Sequence, residues 1–223
     1  MNKFRQFASA LAIAASALLV AVPATAGVIL SFGQVGGAAT ITGTANGAGT
    51  STTITGTDVM ITVTGIDAAL GVPFNAFLTL NATSTSSALL VAGHVIQAFS
   101  GTFTITSLAG GGGTNFLSGS FSDAVFGLNG GTSLTLSAAQ PPQSLSFTSD
   151  VIPDLGTPTA MSLAFAGVTP PAHITGTTLA SFSSSVSGTF SANTTHKVPE
   201  PASLALLGLA MLALAMVLRR RSR

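Results

Sequence analysis

Any chemistry in this chain has to come from a short set of side chains. There are three histidines, His94, His173 and His196, five aspartates, Asp58, Asp67, Asp123, Asp150 and Asp154, and one glutamate, Glu200. Cysteine is absent, which excludes thiol nucleophiles, cysteine metal sites and a disulfide framework. His94 stands in Gly93-His-Val-Ile-Gln97 and His173 follows Pro170-Pro171-Ala172. Neither has a neighbouring carboxylate or the His-x-x-x-His spacing that sets two metal ligands on one helix face, so both read as structural residues. His196 falls in a linker. Asp150 and Asp154 offer the hard oxygens that Ca²⁺ takes, but no EF-hand or calcium-repeat pattern surrounds them, and turn hydrogen bonding accounts for both. Gly110 to Gly113 is followed by Thr-Asn where a phosphate-binding loop needs lysine. No catalytic residue, metal or cofactor is expected, and the chain reads as a non-enzyme.

Charge sharpens this. The formal net charge is +1, yet Lys3 and Arg5 lie at one end and Lys197, Arg219, Arg220, Arg221 and Arg223 at the other. Between Arg5 and Lys197 stand five aspartates and no cation, a net charge of −5. Nucleic-acid affinity comes largely from lysine and arginine on phosphates, so no nucleic-acid partner is expected. Tryptophan and tyrosine are also missing, which removes the usual stacking platform for sugars.

The cations belong to the two ends. Residues 1–26 have the form of a secretory signal peptide: a positive start, an apolar run from Phe7 to Val22, a helix-breaking Pro23, then Ala24-Thr-Ala26. Ala24 and Ala26 fit the small positions that signal peptidase needs, placing the mature start at Gly27. Residues 202–218 form 17 uncharged apolar positions, about 25 Å as a helix and just long enough to span a bilayer. The arginines at 219, 220, 221 and 223 would hold that helix's end in the cytoplasm and leave the preceding body outside. Before the helix stands Pro199-Glu200-Pro201, whose prolines keep the triplet extended.

This order of triplet, apolar helix and arginine cluster resembles the PEP-CTERM sorting signal over residues 197–223. The resemblance implies processing by an exosortase, an integral membrane cysteine protease-transpeptidase, with Pro199, Glu200 and Pro201 as the recognition residues. It also implies export in a Gram-negative bacterium that makes exopolysaccharide and biofilm. The same tail pattern also carries an ice-binding label, which does not by itself imply that activity.

Between the ends, residues 27–196 hold 51 serines and threonines in 170 positions. Apolar residues alternate with them over short runs, the period of half-buried strands. Phe103 and Ile105 oppose Thr102, Thr104 and Thr106; Phe182, Val186 and Phe190 oppose Ser181, Ser183, Ser185, Ser187 and Thr189. Met161, Leu163 and Phe165 repeat the pattern. Asn46-Gly47, Asn129-Gly130-Gly131, Pro153-Asp154 and Pro170-Pro171 mark turns. A disordered, mucin-like tract shares this composition, but the alternation and twelve of the chain's fourteen phenylalanines supply a core. Thr40-Ile-Thr-Gly-Thr44 recurs at 53–57, and Ser100-Gly-Thr-Phe103 recurs at 187–190 with Ser118-Gly-Ser-Phe121 between, at no fixed period.

The expected fold is all-β: an antiparallel β-sandwich or barrel-like body, flanked by an N-terminal signal helix and a C-terminal transmembrane helix. The expected role is an exported cell-surface or extracellular-matrix structural or interaction protein. Its expected partners are signal peptidase, exosortase, the inner membrane and exopolysaccharide. The alternative is an ice- or polysaccharide-binding module, which ranks of threonine side by side on one sheet face would support.

Overall fold

The computed structural model describes residues 26–36, 40–66, 73–140 and 143–194. The signal segment up to residue 25 and everything from residue 195 lie outside them. So do the expected signal helix, the 202–218 span, Asp67, His196 and the sorting and arginine residues. Among the described residues, no helix is long and apolar enough to cross a membrane.

The described chain is antiparallel sheet, and strands alternate as the side-chain pattern requires. β1 is Gly27–Gln34, β2 Ile41–Ala45, β3 Thr52–Ile66 and β4 Phe74–Ser84. β5 is Leu89–Val91, β6 His94–Thr106, β7 Asn115–Leu128, β8 Ser133–Gln140 and β9 Ser144–Thr148. β10 is Leu155–Thr169, β11 Ile174–Thr175, β12 Thr178–Leu179 and β13 Phe182–Thr194. Pairing runs β6-β4-β3-β1-β13-β10-β8-β7, and β7 pairs again with β6. The sheet therefore closes on itself into a barrel, and the sandwich half of the expectation gives way to the barrel half. Two of its eight positions are shared. β1 and β2 follow one another between β13 and β3, and β9 continues the line of β8 along β7. At the break between β1 and β2, the Gln34 side chain accepts from the Val186 backbone N–H at 3.0 Å, standing in for a missing strand carbonyl.

The inward phase is the apolar one. Phe103 of β6 and Phe190 of β13 come from opposite walls of the ring and stack at 4.7 Å. Phe147 meets both edge-on, at 6.0 Å and 5.8 Å, and Phe32 lies 6.1 Å from Phe190. All four rings are buried. Such aromatic pairs add roughly 0.5–1.5 kcal/mol each beyond their buried area. The bore is filled, and its outside is hydroxylated, the reverse of a membrane-spanning barrel with its apolar outer band.

Packing rings into a closed barrel requires small residues beside them, and the repeated sequence words supply these. Words 100–103 and 118–121 pair antiparallel, so Phe103 lies opposite Gly119 and Gly101 opposite Phe121. The third word puts Gly188 opposite Phe32. A Cβ at Gly188 would lie 2.5 Å from the Phe32 ring, and one at Gly119 would strike the Ser146 carbonyl. The three Gly-x-Phe words thus each set a glycine opposite a ring. One register differs from the expectation. A bulge between Ile105 and Thr106 turns Thr106 inward, where its hydroxyl donates to Leu108 O at 2.9 Å.

Gly119→Ala should destabilise the body by roughly 1–3 kcal/mol, because the added methyl meets backbone that cannot step aside. Gly33→Ala, with nothing within 4 Å of the new Cβ, should stay within about 0.5 kcal/mol of the parent. Urea titration followed by circular dichroism distinguishes them. Equal midpoints would contradict the packing described.

Candidate functional site

With the interior full of side chains, contacts with other molecules belong to the outer wall and the poles. Register lines the outward residues into ranks across the strands. One runs Ser183, Thr42, Thr55, Asn81, Thr102, Ser120 and Ser146, through seven neighbouring strand segments. Two residues along, a second runs Thr44, Thr53, Thr83, Ser100, Ser122 and Ser144. Neighbours hydrogen-bond within the ranks: Thr42 with Thr55 at 3.0 Å and Ser120 with Ser146 at 2.9 Å. Ser118 and Thr148 do the same at 2.8 Å. The ranks exist, but they encircle the barrel instead of lying on one plane. Eight strand positions share one full turn, about 45° each, so only two or three hydroxyls of a rank face one direction.

One pole is closed by residues 170–181, which carry β11 and β12. Ala172 exchanges backbone bonds with Gly130 and Gly131 in the β7–β8 turn. Thr177 O accepts from Ala88 N, and Thr177 N donates to Gly49 O in the β2–β3 turn, 2.8 Å each. Beneath them Gln97 sits in the inward phase of β6, fully buried. Its amide donates to Ser86 O at 2.9 Å and to the Thr178 hydroxyl at 2.8 Å, and its carbonyl accepts from Leu179 N at 2.8 Å. Thr52 completes the set, bonding the Thr178 hydroxyl at 2.7 Å and donating to Leu179 O. Sequence reasoning passed over this network, although Gln97 between inward Val95 and Phe99 was a visible polar break in an apolar phase.

The remaining candidates are scattered and engaged locally. His94 begins β6, half-buried, in register with Val91 and Leu128. His173 is exposed, its Nδ1 2.8 Å from Pro171 O. Asp58 sits in a bulge of β3 and accepts from Gly110 N at 2.7 Å. Asp150 accepts from Asn115 N at 2.8 Å, and Asp154 occupies a left-handed turn position at φ 57°. Among the described residues, no group of three or more histidines and carboxylates is placed to hold a metal. Of the expected cleavage residues, only Ala26 and Gly27 are described, with Gly27 opening β1 opposite Ala192.

Comparison with known proteins locates one feature. Residues 197–221 match the PEP-CTERM protein-sorting motif, so the tail carries that signal and supports exosortase-dependent sorting of an exported protein. The chain matches no curated protein and no solved structure.

Gln97→Leu should loosen the cap and leave the barrel folded. It strands Leu179 N–H without an acceptor, at roughly 1–3 kcal/mol for a buried group, and leaves the Thr178 hydroxyl bonded to Thr52 alone. Hydrogen exchange should rise across 170–181 and stay unchanged in β13. Unaltered exchange in the cap would refute the role given to Gln97.

Proposed function

We propose that this chain is an exported structural or interaction protein, sorted through its tail by an exosortase and displayed at the cell surface or in the extracellular matrix. The observation that carries the reading is the sorting motif at residues 197–221. In this reading signal peptidase cuts between Ala26 and Gly27, the 202–218 helix holds the precursor in the inner membrane, and the arginines at 219, 220, 221 and 223 keep its end inside. Pro199, Glu200 and Pro201 are the residues the exosortase reads. The antiparallel register supports a display role: Gly27 and Ala192 are partners, so the chain enters and leaves the barrel at one pole. The capped pole then projects away from the anchor.

The body acts without catalysis in this account. Its described aspartates Asp58 and Asp150 are spent on loop N–H groups, and its interior is occupied by rings. A second reading, contact with exopolysaccharide, draws on the hydroxyl ranks, which present many donors and acceptors without charge. Their course around the barrel gives less support to a flat ice lattice, which needs a plane.

In its own host, the surface-associated protein should have an intact mass that begins at Gly27 and lacks residues 219–223. Glu200→Ala should leave it stalled in the inner membrane. A mature species that keeps its arginines, or normal release of the mutant, would overturn the sorting assignment.

A further inference from the structure

The wall departs from its hydroxylated character at one edge. β5 ends the strand path: it pairs with β6 and, among the described residues, with no other strand. All three of its residues are apolar and exposed, Leu89 at 60%, Leu90 at 56% and Val91 at 50%. Register sets Val91 beside His94 and His94 beside Leu128, itself 55% exposed, so the apolar surface continues onto β7. Ala92 and Gly93, at φ 49° and 83°, turn the hairpin and add no charge. No residue from 68 to 122 is charged. Natural sheet edges are usually blunted by shortness, lysine, proline or an inward charge; β5 is short, at three residues, and has none of the others.

We propose that this edge is a homotypic contact, in which two copies join by antiparallel pairing of their β5 strands about Leu90, with Leu89, Val91 and Leu128 packed across the join. The proposal rests on the display reading above and names the partner as a second copy of this chain. Three observations select that occupant. A closed two-fold contact uses the same patch on both sides, and a short antiparallel edge is self-complementary in that way. A charged partner finds nothing to pair with here, whereas a second copy meets no repulsion. The edge also lies at the capped pole, away from Gly27 and Ala192. The 13 residues of β6 run roughly 43 Å at about 3.3 Å each, about 33 Å along the axis at a strand tilt of roughly 40°, which separates the edge from the tail and from the membrane that holds it.

The pairing also fixes a direction. Antiparallel strands reverse one barrel relative to the other, so the two tails leave in opposite directions. The contact therefore suits copies on facing surfaces. Four side chains a side fall short of the roughly 800 Å² per partner of a stable interface, so single contacts are weak and act through many copies.

Residues 27–194 contain the closed ring and its core and serve for the test. Sedimentation equilibrium should show monomer and dimer exchanging with concentration, and Leu90→Lys should weaken dimerisation at least tenfold with an unchanged thermal melt. Ser162→Lys, on β10, should leave it unchanged. If Leu90→Lys fails to fold, Leu90→Cys decides the matter, because the chain has no cysteine of its own. Oxidation should give a disulfide-linked dimer at position 90 and none for Ser162→Cys. Spin labels at position 191 should lie farther apart in the dimer than one strand length, about 43 Å. A monomer at millimolar concentration, or equal cross-linking at 90 and 162, would overturn the contact, and a shorter label distance would overturn its head-to-head geometry. Tail processing is read separately, so a failure of sorting and a failure of this contact cannot be confused.

Discussion

Phe103 and Phe190 meet at 4.7 Å from opposite walls, and that contact sets the bore of the barrel. Eight strand positions enclose room for one layer of side chains. Rings fill it only where the neighbouring strand gives way, as Gly119 does beside Phe103 and Gly188 beside Phe32. The same requirement explains why no disulfide is needed. A ring of hydrogen-bonded strands leaves few edges to fray, and a core of interlocked phenylalanines resists expansion.

The second constraint is the lack of charge. With five aspartates and no cation between residues 5 and 197, surface solvation falls to serine and threonine, whose hydroxyls bond water and one another along the ranks. Such a wall is hydrated without a strong field. It also offers trypsin-like proteases no site in the body. The cost falls on the edge, where charge is the usual safeguard against association and β5 goes without it.

Much of this was legible. Periodicity assigned the inward phase correctly for Phe103 and Ile105, for Met161, Leu163 and Phe165, and for Phe182, Val186 and Phe190. Thr106 escaped it because a bulge is a property of two strands together. Ser184 escaped it too: it shares the inward phase of Val186, yet a serine there looks like any other in a serine-rich run. Sandwich and barrel could not be told apart, since closure depends on β1 pairing with β13 some 160 residues away. The glycine-phenylalanine words were visible, but their meaning lay in register. The tail was the most readable element, because its signal is local and ordered along the chain.

The first and last strands close the ring, and amide hydrogen exchange by NMR reads that closure residue by residue. Leu30 to Gly33 of β1 and Ser187 to Phe190 of β13 should exchange as slowly as the central residues of β6 and β7, through global unfolding. Fast, fraying exchange in β1 beside a protected β6–β7 ladder would show an open sheet and contradict the closed barrel.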